Sequence, residues 1–84
     1  MHFIFILTIA AALALSAAPA SANDHRTCLT DKTAPDAGIA ACSRLIAGRK
    51  AKAQQLPFVY AFRAIHYSRK GDFDRAIADA DARL

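Results

Sequence analysis

Glutamate is missing from this sequence, and all seven acidic residues are Asp. Short carboxylates suit helix starts, where they accept hydrogen bonds from free backbone N–H groups and complement the helix dipole. Cysteine is scarce as well, with two residues in 84, so only one intramolecular pairing exists. His25 stands three residues before Cys28, and His66 lies further on. A structural zinc site brings paired Cys or His ligands from two places, and here only one place has such a pair. No metal or other cofactor is expected, which leaves His25 a solvated residue and His66 a partly exposed helix residue. Catalysis lacks its constellation too. Cys42 with His66, and Asp72 with Asp74, have no supporting motif, and a helix start accounts for both aspartates. The chain is expected not to be an enzyme.

Long apolar runs are limited to one, from Phe3 to Leu15. It falls short of the roughly 20 residues that cross a bilayer as a stable helix. Ala20-Ser21-Ala22 follows with the small-x-small pattern of a cleavage site. Residues 1–22 therefore read as a signal peptide and Asn23 as the start of an exported chain, periplasmic or secreted, with no stable membrane span after cleavage. No Cys stands at the cleavage point to carry a lipid anchor. Every Lys, Arg and Asp lies beyond Ala22, so the formal net charge of +4 belongs to the mature part. So mild a balance fits a solvated surface. The basic run Arg49-Lys50-Ala51-Lys52 has no interleaved aromatics and reads as a soluble loop, with no nucleic-acid partner. In an oxidising compartment Cys28 and Cys42 are expected to form a disulfide, the alternative being two free thiols with Cys42 a small core residue.

Residues 23–33 are polar without an apolar period and read as an extended lead-in. Residues 34–56 hold a first helix and a linker. The helix runs from about Ala34 to Ala47, with Thr33 as cap, Asp36 three residues later, Pro35 in the first turn and Gly48 at the end. Ile39, Cys42 and Ile46 mark its inward face, supported by Leu45. Residues 57–84 form a helical hairpin, from about Pro57 to Lys70 and from Phe73 to Leu84. Gly71 can close the first helix in the left-handed conformation, and Asp72 can cap the second. Before the turn, Phe58, Phe62 and Ile65 make one stripe and Tyr60, Ala64 and Tyr67 another; after it, Phe73, Ala76, Ile77, Ala80 and Leu84 recur at helical spacing. Two stripes imply two neighbours. Arg75 with Asp79, and Asp79 with Arg83, are spaced as i, i+4 pairs.

The residues Tyr60, Ala64, Tyr67, Gly71, Asp72, Phe73, Ala76 and Ile77 resemble the tetratricopeptide repeat (TPR), a helix-turn-helix unit of about 34 residues. Small and aromatic residues alternate at fixed offsets around its glycine. Pro35 to Cys42 resembles the second helix of a preceding degenerate repeat. The fold class expected is all-α: a TPR-like hairpin plus one preceding helix. The resemblance implies a non-catalytic scaffold that binds a protein or peptide partner on its helix faces. About three stacked repeats are usual for independent stability, so an incomplete array that continues, takes a partner or self-associates is expected. A second reading, from a different class, is a small secreted cationic helical peptide or effector acting on membranes or a partner protein.

Overall fold

The computed structural model describes residues 20–82, which are all-α. Helix α1 spans Ala20–Cys28, α2 Pro35–Ala47, α3 Leu56–Lys70 and α4 Phe73–Ala82, with a short 3-10 turn at Ala53–Gln55. Residues 1–19, most of the expected signal peptide, and 83–84 lie outside the described residues. The expected cleavage point after Ala22 falls in the first turn of α1.

Each helix packs against the next in chain order, and α1 also touches α3. The core is small: Cys28, Ala41, Cys42, Leu45 and Val59 are fully buried, with Leu29, Ile46, Ala51 and Phe62 packed around them. Cys28 and Cys42 are joined by a disulfide that staples α1 to α2.

The lead-in is a correction to the sequence reading. Residues up to Cys28 are helical rather than extended. Nothing local specifies that helix, because short helices in water depend on tertiary contacts. The contacts are at hand: the disulfide at its C-terminal end, and the Asp24 carboxylate accepting three hydrogen bonds of 2.9 to 3.1 Å from the Arg44 guanidinium of α2.

The first turn of α2 also differs. Pro35 takes its expected place, but Ala34 is the N-cap and no side chain caps the helix. The Thr33 hydroxyl instead donates to the Thr27 carbonyl at 2.9 Å, tying the α1–α2 connection to α1. At the other end of α2, Gly48 is right-handed, and the left-handed residue is its neighbour Arg49 at φ 53°. The N–H groups of Arg49 and Lys50 donate to Ile46 and Leu45, a Schellman closure built around a non-glycine residue.

Gly71 closes α3 in the same way with φ 88°, and the N–H groups of Gly71 and Asp72 donate to Ser68 and Tyr67. A side chain at Gly71 would meet open space, so the whole penalty of a substitution is conformational. Gly71→Val is expected to lower stability by about 1–2 kcal/mol, with Gly71→Asn milder because Asn tolerates the left-handed region. Thermal melts followed by circular dichroism check this. Equal midpoints for all three chains would show that the turn does not depend on the left-handed residue.

Gly38 has a different reason. A Cβ there would stand 2.5 Å from Cε1 and Nε2 of His66, which the sequence reading left partly exposed but which is fully buried between α2 and α3. Its Nε2 donates to the Cys28 carbonyl at 2.9 Å, since a carbonyl oxygen only accepts. Nδ1 is buried without a partner among the described residues. One ring thereby joins three helices, and only a glycine on α2 leaves room for it. Gly38→Ala gains helix propensity of up to about 1 kcal/mol but overpacks the site by about 1–3 kcal/mol. A net loss of about 1 kcal/mol is expected in denaturant unfolding, with the larger penalty relieved when His66→Ala is added. A Gly38→Ala chain more stable than the parent would mean the ring moves aside freely.

Candidate functional site

Helices α3 and α4 enclose an open groove of about 420 Å³, lined by Ala64, Ile65, Ser68, Arg69, Phe73, Ala76, Ile77 and Ala80. Small residues form its floor and large ones its walls. Phe73 is 62% exposed, Ile77 61% and Ile65 41%, and Phe58, two turns before Ile65 on the same face of α3, is 62% exposed. Four large apolar side chains standing in water on one face of the α3–α4 hairpin are the most conspicuous surface feature of the described residues.

The turn at the head of the groove is fixed locally. The Arg75 N–H donates to Asp72 Oδ1 at 3.4 Å and the Arg75 guanidinium to Oδ2 at 2.7 Å, so Asp72 caps α4 as expected. The hydrogen bond from Arg75 holds the Asp72 carboxyl below its ordinary value. A depressed carboxylate stabilises the fold above the usual carboxylate range and loses that contribution as pH falls through its folded value. Asp72→Asn keeps an acceptor for the Arg75 N–H but removes the charge. The difference in melting midpoint between parent and variant should therefore shrink as neutral solution is taken to strong acid; a constant difference would count against the ion pair.

The opposite face of the hairpin is polar. Arg63 on α3 donates to both carboxylate oxygens of Asp79 on α4, each at 2.7 Å, and to Ser43 Oγ on α2 at 3.1 Å. Its guanidinium lies 5.5 Å from the Tyr60 ring centre and 5.9 Å from that of Tyr67, within cation–π range. The hydrogen bond to Asp79 raises the Arg63 pKa further. The i, i+4 pairing of Asp79 with Arg75 is thus corrected: Asp79 reaches across to α3, and Arg75 turns back to Asp72.

The eight repeat positions are divided between these faces. Ala64, Phe73 and Ile77 line the groove, Ala76 is buried where α3 and α4 meet, Gly71 and Asp72 make the turn, and Tyr60 and Tyr67 flank Arg63. The stripe Phe58, Phe62, Ile65 faces outward except for Phe62; Val59 and His66 occupy the buried face instead. Cys28 and Cys42 are committed to their disulfide, and the His25 ring bonds the Ser21 carbonyl at 2.8 Å. Sequence reasoning missed Arg63, Asp79, His66 and Gly38. A usable signal existed for Asp79, a carboxylate placed between Ala76 and Ala80 on the packed stripe of α4.

No helix among the described residues is long and apolar enough to cross a membrane. In comparison with known proteins, the chain matches no family model, and no curated protein or solved structure is significantly similar to it.

Proposed function

We propose that this protein is an exported, non-catalytic helical scaffold of TPR type that holds a polypeptide partner in the groove between α3 and α4. The observation that carries the reading is the groove itself, with exposed Phe58, Ile65, Phe73 and Ile77 beside a floor of small side chains. A floor of Ala and Ser allows close approach of a helix backbone, and the larger residues supply apolar contact, as in helix-in-groove recognition. Support for the repeat scaffold comes from helices packed in chain order and from Gly71, Asp72 and Ala76 in turn and crossing positions. Support for export comes from the disulfide, which persists in oxidising compartments.

A photo-reactive amino acid placed at Ile77 in the producing cell should cross-link to a polypeptide, and the same group at Arg26 on α1 should not. Equal labelling at both positions, or none at Ile77, would overturn the reading. Binding to anionic vesicles without any cross-link would favour the membrane-active alternative, although Asp74 and Asp81 beside the apolar face oppose anionic lipid.

A further inference from the structure

We infer that the occupant of the groove is a second copy of this chain, placed by a two-fold axis so that α4 of each copy lies over α3 of the other. The inference rests on the groove being an interaction surface, as proposed above, and names its partner.

Charge supplies the first argument. The only charged residues of α3 are the basic Arg63, Arg69 and Lys70, whereas α4 carries three Asp and one Arg. Arg63 is paired with Asp79, Lys70 with Asp36 and Arg75 with Asp72. Once these pairs are set aside, the groove among the described residues is bordered by one cation on α3, Arg69, whose guanidinium donates to the neutral Thr33 carbonyl at 2.7 Å and so keeps its charge uncompensated, and by two exposed anions on α4, Asp74 and Asp81. Both anions lie within about 60° of Ile77 around the helix. A two-fold contact brings Arg69 of each copy toward the acidic edge of the other, so every favourable pairing occurs twice. A contact of α4 on α4 would instead oppose like charges.

Shape supplies the second. Phe73 and Ile77 project from α4, and Ala64, Ser68, Ala76 and Ala80 form the floor they would enter on the other copy. One surface therefore presents both the projections and the recess, which is what an isologous contact requires.

Area sets the strength. The four exposed apolar side chains offer roughly 400 Å² per copy, taking about 150–200 Å² for a whole large side chain. Standard stable interfaces bury about 800 Å² per partner. With its polar rim the contact falls at the small, transient end of the range, so a monomer–dimer equilibrium is expected rather than a permanent dimer.

Sedimentation equilibrium of the protein purified from the producing cell, from low micromolar to near-millimolar concentration, tests this. The mean mass should rise from one chain toward two. Ile77→Asp and Arg69→Asp should each weaken association by about tenfold or more; both side chains are exposed, and because Arg69→Asp also gives up the hydrogen bond to the Thr33 carbonyl, its helical content and melting midpoint are measured beside the parent's. Arg69→Asp combined with Asp74→Arg and Asp81→Arg should restore it, which loss of folding cannot imitate. A single-chain mass throughout overturns the inference, as does a dimer insensitive to both single changes. The cross-link at Ile77 separates this from the reading beneath it. A product of twice the chain mass supports both, a product with a different protein keeps the groove and removes self-association, and no product removes both.

Discussion

Replacing Cys28 and Cys42 together by alanine is expected to lower the melting midpoint by roughly 15 °C and to release α1 from the rest of the chain. Closing a loop of about 15 residues contributes about 3 kcal/mol in the chain-entropy model, and the two cysteines are 14 residues apart in sequence and fully buried. For a domain of this size each kcal/mol shifts the midpoint by about 4–8 °C. The remaining ties of α1 are weak by comparison. Arg44 donates to Asp24 from a side chain that is 61% exposed, and solvent screening leaves such exposed pairs little net contribution. The Cys28 carbonyl keeps its hydrogen bond from His66 only while α1 stays in place. Hydrogen exchange followed by mass spectrometry should show α1 amides losing protection while α3 and α4 retain theirs. An unchanged midpoint with α1 still protected would mean that packing alone holds the first helix.

The same contrast between local and long-range causes explains what the sequence made legible. Pro35 and Pro57 near helix starts, with Gly71 and Asp72 between α3 and α4, act within a few residues of themselves, and α2, α3 and α4 lie within about two residues of the positions read from them. Helix α1 was invisible because its support lies on α2. The buried face of α3, with Val59 and His66, went unread because Phe58 and Ile65 are larger and mark the more conspicuous stripe. The space between α2 and α3, narrowed by Gly38 and Ala41, takes the smaller valine and a ring lying flat on a glycine. Gly38 itself was a sign of close approach, yet the group approaching it sits on another helix. The disulfide was legible from two cysteines and the expectation of an oxidising compartment, and the turn from Gly71-Asp72. The groove was legible in part, as more apolar stripes than one hairpin can cover, but its acidic and basic borders emerge only once Arg63, Lys70 and Arg75 have found their partners.

Arg63→Leu is expected to destabilise the protein by about 3 kcal/mol, the lower end of the range for breaking a buried ion pair by removing one member. Asp79 is the reason. Its side chain is 7% exposed and receives both of its short hydrogen bonds from Arg63, so truncation of the arginine leaves a carboxylate in the α3–α4 interface with no compensating charge. The Arg63 side chain is itself 20% exposed, which lets water reach the site and keeps the penalty from the upper end. Ser43 and the faces of Tyr60 and Tyr67 lose their shared partner as well. Removing both members at once should be far less damaging than the single change, because apolar pairs of similar volume commonly match buried ion pairs in stability. Chemical denaturation of Arg63→Leu, Asp79→Leu and the double variant completes a cycle. A double variant much more stable than the sum of the single losses identifies the pair as a coupled unit that fixes the angle of α4 against α3, and with it the width of the groove. Additive losses would mean that Arg63 acts through its tyrosines and Ser43 and that Asp79 is held by other contacts.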